Sequence, residues 1–569
     1  MLFAAKERQR MAETTSNIVI GGEAGQGLAT IGEFLARALV RAGYGVVVTQ
    51  DYQSRIRGGH NTFAIRAGNA VPAAPTEAID LLVALSADTV PLHKDRLTDT
   101  GLVLADTRTG LAGLPGLAIP YQELCPKPLY ENTAALGVLS SLLCLDPSFV
   151  TDLITEKFTK KGDEVVAANI AVFKAALAWT VAQKAPFACL PPAARREKRL
   201  VMHGNDAIAL GGLAAGVNFC SFYPMTPGTS VIQTLIDHAD SMGLVAEQAE
   251  DEIAAIIMAL GASYAGARSM VSTAGGGFAL MGEGTSLSGM LETPVTLVVA
   301  GRPGPATGLP TRTEQADLDL VVYAGHGEFP RAVFAPGSLE QCFHLAHRAV
   351  DTAERFQSPA FILTDQFLAD SYRDVAPFDL SALPAVARPL TAVDDPAGYE
   401  RYAVTGSGVS PRLLPGFTEA TVVLDSDEHT PDGHITEDLS VRVAMQDKRM
   451  RKLAGLTEAV LPPDLYGEAE GATLFVCWGS TLGAALESAE ILREKGEKAA
   501  VLHFSQVFPL APDTFLPFFA QAGRTVMVEG NFSGQLAGLI RQGTGHVFDH
   551  LVTRYDGLPF TAAFILERL

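Results

Sequence analysis

Six cysteines are scattered along 569 residues, and no two stand in a Cys-x-x-Cys or Cys/His metal-ligand spacing. That absence excludes a disulfide-dense scaffold and an iron–sulfur cluster built from this chain alone. Cys125, Cys144, Cys189, Cys220, Cys342 and Cys477 read instead as buried apolar thiols in a reducing cytoplasm. Long apolar runs are also lacking, since none reaches the ~18 residues expected of a membrane span. Met1 to Arg10 lack the apolar core of a secretory leader, so the expectation is a cytoplasmic chain without membrane association. Basic residues are in deficit, 43 against 63 acids for a net charge of -20, which argues against non-specific nucleic-acid binding. What is present in quantity is apolar residue, 48% of the chain, enough to fill several cores. At roughly 100 to 200 residues per domain the length predicts three or four of them.

Alternation of strand and helix marks three blocks. The first opens with the strand Asn17–Ile20, a glycine-rich loop, a helix with apolar Leu28, Ile31, Leu35, Ala38 and Leu39, and the strand Val46–Thr49, the pattern of a βαβ unit. It ends in a proline- and charge-rich linker near Leu190–Arg199. The second block, from Gly204 to about Tyr372, carries strands at Phe219–Tyr223, Ser269–Thr273, Val295–Ala300 and Ala360–Thr364. A stretch rich in proline, glycine and charge follows, holding the basic helical segment Val441–Leu453. Alternation then returns with strands Thr473–Cys477, Ala499–His503 and Arg524–Val528 around the helix Leu482–Lys495. The predicted organisation is α/β with three mostly parallel-sheet domains, over residues 1–195, 196–375 and 471–569, with a connecting segment at 376–470.

Chemistry concentrates in a few loops. Gly21 to Gly27 lies between strand and helix, where backbone N–H groups and the helix dipole favour an anion. As a dinucleotide fingerprint it is imperfect, because Thr30 stands where the third glycine belongs, although Asp51 ends the next strand as a ribose-binding acid would. Ser54 to His60 adds Arg55, Arg57, Gly58 and Gly59, which suit a phosphate-rich ligand; a tight turn beside a solvated basic loop is an equal reading. Further on, Tyr223-Pro-Met-Thr-Pro227 presents Thr226 from a stiff strand exit. Glu247, Glu250, Asp251 and Glu252 cluster at the start of a helix that then turns apolar, where the macrodipole favours acids. Glu250 stands one turn before Ala254 and Ile257 and is expected on the buried face, where a protonated ring nitrogen would be a partner. Thr273 to Gly277 and Arg302 also follow strands, so three loops converge on one carboxyl edge.

Taken in order, these motifs, with Ala265-Gly-Ala-Arg-Ser269, Gly301 to Thr311 and Gly325-His-Gly-Glu328, resemble the large subunit of the 2-oxoacid:ferredoxin oxidoreductases in which a gamma domain is fused ahead of the alpha domain. The likeness is strongest to the 2-oxoglutarate-acting alpha subunits and spans nearly the whole chain. It implies a gamma domain, a thiamine diphosphate pyrimidine-binding domain and a transketolase C-terminal-like domain. It further implies that Glu250 faces the cofactor's aminopyrimidine, with Tyr223, Pro224, Thr226, Thr273 and Gly275 around it. Thr226, Arg302 and Thr311 match positions near the substrate carboxylate. Gly25, Gln26, Gly27, Arg55, Arg57, Gly58 and Gly59 match the part implicated in CoA binding. The implied reaction is CoA-dependent oxidative decarboxylation of 2-oxoglutarate, reversible toward CO2 fixation, with electrons passing to ferredoxin. Ala274-Gly-Gly-Gly277 departs from the Ser-Gly-Pro-Gly loop of the family.

Two family features are missing from the chain: a Gly-Asp-Gly diphosphate motif with its downstream Asn, and clustered cysteines. The resemblance therefore implies a beta subunit that supplies Mg2+, the diphosphate half of the site and a [4Fe-4S] cluster, in a dimer of alpha–beta heterodimers. No metal is expected on this chain. Pyruvate or another 2-oxoacid as substrate is an alternative. A reading from another class is a nucleotide-binding scaffold whose glycine loop holds NAD or an adenylate.

Overall fold

Three sheets of eight, seven and five strands organise the computed structural model, which describes residues 15–53, 59–185, 187, 189–193 and 197–569. The chain divides into two compact units, the first running to Met202 and taking back Ser371–Pro377, the second holding the remainder. Both expected boundaries of the central domain therefore shift. Leu200–Met202 and Arg373–Val375 pair with each other and extend the first sheet, a long-range pairing that local composition does not announce.

In the first unit, Gly116–Ile119, Leu97–Asp106, Ile79–Ala84 and Thr15–Glu23 run parallel in that order. The rest of the sheet is antiparallel, because His60–Gly68 inserts between Thr15–Glu23 and Gly45–Asp51. The expected βαβ neighbours are thus not adjacent. The helix Leu28–Arg41 buries each predicted stripe residue, Leu28, Ile31, Leu35, Ala38 and Leu39, as a 3.6-residue period requires. Asp163–Gln183 is long and apolar enough to cross a membrane by length and composition. Its Val172, Phe173 and Ala176 are buried in the core of this unit, Asn169 is buried with them, and Lys174 interrupts its exposed face. Cys144 and Cys189, 45 residues apart, form a disulfide, which corrects the reading of all six cysteines as thiols. The other four are buried.

The second unit contains the sheet that matters for function. Its strand order is Gln506–Phe508, Ala332–Phe334, Pro359–Asp365, Val295–Gly301, Ser269–Ala274, Phe219–Phe222, Val245–Gln248, all parallel except the first. From Phe219–Phe222 the chain steps to one side to make Val245–Gln248 and then crosses to the other side for Ser269–Ala274. That reversal opens a crevice at the carboxyl ends of the two inner strands, the usual ligand position in an open α/β sheet. The five-stranded sheet orders Asp464–Tyr466, Ala499–Phe504, Thr473–Trp478, Arg524–Glu529 and His550–Thr553, parallel except at Asp464–Tyr466. The connecting segment has little sheet, as expected. Its helix Leu439–Glu458 buries Lys448, Arg449 and Lys452.

Candidate active site

Two strand exits form the walls of the crevice. After Phe222 the chain makes the Tyr223–Pro227 turn, in which the Thr226–Pro227 peptide is cis. Asn205, fully buried, fixes this turn by donating to the Pro227 carbonyl at 2.8 Å and to Ser230 Oγ at 2.7 Å. On the other wall, Ser272 Oγ donates to the Gly228 carbonyl at 2.8 Å, tying the turn to the end of the Ser269–Ala274 strand. Arg302, just past Val295–Gly301, donates from Nη1 to the Thr226 carbonyl at 2.7 Å. The structure thus brings Thr226 and Arg302 together. Thr273 is buried at the end of the Ser269–Ala274 strand and Thr311 is buried in the loop that follows Val295–Gly301, while Tyr223 and Pro224 are exposed.

The helix acids require a correction. Asp251 caps the helix by accepting from the Ala254 N–H at 2.8 Å, and the helix runs over Glu252–Tyr264. Glu250 therefore precedes the helix, so helical spacing to Ala254 and Ile257 does not place it on the inner face; it is exposed, as is Ile257. The buried acid is Glu252, 3% exposed, and its Oε1 is buried without a hydrogen-bond partner. Glu247 lies on the exposed edge strand Val245–Gln248. A start signal was available in the sequence, since an Asp immediately before an apolar period is a helix N-cap and puts the first buried turn at Glu252.

Glycines at the head of Gly275–Leu280 make room for these carboxyls. A side chain at Gly277 would collide with Thr273 Oγ1 and lie 2.5 Å from Glu252 Oε1. At Gly275 it would overlap the carboxyl group of Asp317, a residue that sequence reasoning missed. Asp317 Oδ2 is likewise buried and unpartnered. Burial pushes the Asp317 carboxyl up to about 6, with Arg302 pulling the other way, and burial with the Asp317 charge raises Glu314. Burial also lowers the Arg302 guanidinium, against the support of Asp317.

The loop bearing Thr311 and Asp317 is held by the last domain. Gln315 donates to the Trp478 carbonyl at 3.0 Å and accepts from the Gly530 N–H at 2.8 Å, while its own N–H reaches the Gly530 carbonyl at 2.6 Å. A separate cleft of about 320 Å³ is lined by Glu283, Met290, His326, Glu328, Arg442 and Arg449 among others, and contains none of the residues above. Among the described residues no three His, Cys, Asp or Glu side chains are grouped to hold a metal.

In the first unit, Gly25 and Gly27 adopt left-handed φ of 94° and 78° ahead of the Leu28–Arg41 helix. Gln26 folds back, accepting from the Glu23 N–H at 2.7 Å, so it braces the turn. Gly21 and Gly22 belong to the strand Thr15–Glu23, which shortens the glycine loop. Gly59 has φ 78° beside Gln53, whereas Arg55, Arg57 and Gly58 lie outside the described residues.

A topological switch with an unpartnered buried carboxyl on one side and an arginine on the other is the place where an open α/β sheet receives a ligand. Residues 211–448 match the family described as pyruvate flavodoxin/ferredoxin oxidoreductase, thiamine diphosphate-binding. Residues 17–179 match pyruvate ferredoxin/flavodoxin oxidoreductase, and 468–559 match the transketolase C-terminal domain. A 2-oxoacid:ferredoxin oxidoreductase subunit alpha from Sulfolobus is 30% identical across 97% of this chain and 96% of its own length. The 2-oxoglutarate oxidoreductase subunit KorA of Mycobacterium tuberculosis is 29% identical over 98% of this chain and 91% of its own. The solved 2-oxoglutarate:ferredoxin oxidoreductase of Magnetococcus marinus, with 2-oxoglutarate, coenzyme A and succinyl-CoA bound, has a TM-score of 0.91 at 31% identity, covering 98% of this chain and 99% of that one. The chain belongs to the alpha subunits of the 2-oxoacid:ferredoxin oxidoreductases, which are oxidoreductase subunits.

Proposed function

We propose that this is the alpha subunit of a thiamine diphosphate-dependent 2-oxoglutarate:ferredoxin oxidoreductase, which converts 2-oxoglutarate and CoA to succinyl-CoA and CO2 while reducing ferredoxin. The observation that carries the reading is the buried, open Oε1 of Glu252 in the crevice edged by the Arg302–Thr226 pair. The donor set fits the aminopyrimidine end of thiamine diphosphate. Glu252 would hold a ring nitrogen through a charge-assisted hydrogen bond, and Gly277 lets the Glu252 carboxyl stand against the turn where a side chain would displace it. When bound, the cofactor supplies the carbon nucleophile and the electron sink for decarboxylation. Arg302 would take the 2-oxoacid carboxylate, its orientation set by the Thr226 carbonyl, with Thr311 alongside. Glu250, exposed ahead of the cap, is left without that role.

The chain offers half a site, so the proposal includes a beta subunit carrying Mg2+, the diphosphate contacts and a [4Fe-4S] cluster. Supporting this, Ile253, Ile257 and Met258 project exposed from the same helix that begins with Glu252, an apolar surface suited to a partner. Gly25 to Gly27 and Gly59 are proposed to contribute to CoA binding. Assembly as a dimer of alpha–beta heterodimers in the cytoplasm completes the reading. The test is turnover of 2-oxoglutarate and pyruvate with CoA and a one-electron acceptor, by the chain alone and with its partner. We expect succinyl-CoA only from the assembled complex, with kcat/KM higher for 2-oxoglutarate. Preference for pyruvate would contradict the substrate; activity of the isolated chain would contradict the half-site.

A further inference from the structure

Asp317 is a carboxyl that the proposed chemistry leaves unused, yet the site is built around it. Oδ2 is buried and has no hydrogen-bond partner, although Asp317 occupies the cap position of a short helix where an aspartate commonly accepts a backbone N–H. The carboxyl instead presses on Gly275, where even one methyl group would overlap it, and a Cβ at Gly301 would lie 3.6 Å from Oδ2. Of the elements around it, the end of Val295–Gly301 lies against Oδ2 through Gly301 and contributes the next residue, Arg302, whose charge opposes the rise of the carboxyl. Its own loop contributes Glu314, raised by burial and by the Asp317 charge, and Asp319 follows on its own helix. The glycine turn Gly275–Gly277 supplies no charge, while Glu252 stands against Gly277. Asp365, on the neighbouring strand, is occupied by Thr313 Oγ1 at 3.1 Å and by Ser480 Oγ.

We propose that Asp317 is a positioning residue that couples capture of the substrate carboxylate by Arg302 to uptake of a proton. The inference rests on Arg302 being the carboxylate ligand, as proposed above. An ionised Asp317 partly neutralises the guanidinium and repels an incoming carboxylate at close range in a poorly solvated site. When Asp317 takes a proton from solvent, the full charge of Arg302 becomes available, and the bound carboxylate in turn holds the proton on Asp317. Burial already brings the Asp317 carboxyl to about 6, so the exchange falls at accessible pH. Linkage gives the sign: substrate binds more tightly as pH falls through this range, and more weakly as Asp317 ionises.

In the assembled complex, KM for the 2-oxoacid is expected to rise about threefold to tenfold from about pH 6 to about pH 8. In Asp317→Asn, which is uncharged throughout, that rise should be lost, with the change carried by KM. A parallel rise in wild type and Asp317→Asn would overturn the proposal. Arg302→Gln separates the two levels. If it leaves KM unchanged, the carboxylate assignment itself fails; if it raises KM while Asp317→Asn keeps the wild-type pH profile, only the proton coupling fails. Titration of 2-oxoglutarate into the cofactor-stripped wild-type complex in two buffers of different ionisation enthalpy gives a test independent of the variant's folding. Proton uptake near neutral pH is expected, and its absence would contradict the proposal.

Discussion

A single capping residue decides which acid enters the crevice. Asp251 spends its carboxylate on the Ala254 N–H, which ends the loop, leaves Glu250 in solvent and turns Glu252 inward. The acidic cluster was legible in the sequence, and the Asp251 cap that sets its phase was there to be read, but it stands among four residues of one charge type that mask where the helix begins. Asp317 was hidden for another reason: its neighbours are Gly275 and Arg302, from separate strands, and no local pattern links them. At Arg302 the argument is about shape as well as charge. Its fork holds the Thr226 carbonyl with one nitrogen and leaves others for a carboxylate, which a lysine cannot reproduce. Arg302→Lys should raise KM for the 2-oxoacid by about tenfold or more, about 1.4 kcal/mol, in steady-state assays of the complex.

Elements show a similar division. Four central strands of the second sheet and three of the third were readable from apolar runs, since parallel strands are buried on both faces, whereas the short flanking strands Val245–Gln248, Ala332–Phe334, Gln506–Phe508, Asp464–Tyr466 and His550–Thr553 were not. His60–Gly68 escaped because an antiparallel insertion leaves no crossover signature, and the burial of the connecting helix's lysines was not legible because they meet their partner far away in sequence. That partner is Glu292, contacted by Lys448 Nζ at 2.6 Å and Lys452 Nζ at 2.5 Å, all three buried. Burial would raise the Glu292 carboxyl, but Lys452, Lys448 and Arg401 outweigh it and hold it at about 2, against an ordinary value of 4.5. Its stabilising contribution is therefore complete above about pH 4.5 and lost as pH falls toward about 2. Glu292→Gln strands two buried ammonium groups and should destabilise the fold by about 3–5 kcal/mol, with a shallower loss of stability on acidification, measured by denaturant unfolding across pH. The glycine turn offers a sharper contrast. A methyl group at Gly276 would meet the Ala306 carbonyl at 3.5 Å, an ordinary contact, whereas at Gly275 it overlaps Asp317. Gly276→Ala should leave Tm nearly unchanged and Gly275→Ala should cost about 1–3 kcal/mol, read by thermal unfolding.

At the scale of the whole molecule, the motifs in order identified the family, and their gaps indicated that the chain is one part of an assembly. Long-range pairings stayed invisible: the strand Arg373–Val375 that rejoins the first unit, the Cys144–Cys189 bond, and the Gln315 contacts that hold the Thr311 loop against the last domain. The central claim is that Glu252, not Glu250, is the carboxyl that serves the cofactor. It is tested most directly by thiamine diphosphate-dependent decarboxylation of 2-oxoglutarate in the assembled complex, with Glu252→Gln and Glu250→Gln measured side by side. The expected result is a loss of about 100-fold or more in kcat for Glu252→Gln and activity near wild type for Glu250→Gln. Retained turnover in Glu252→Gln, or a collapse confined to Glu250→Gln, would contradict the account.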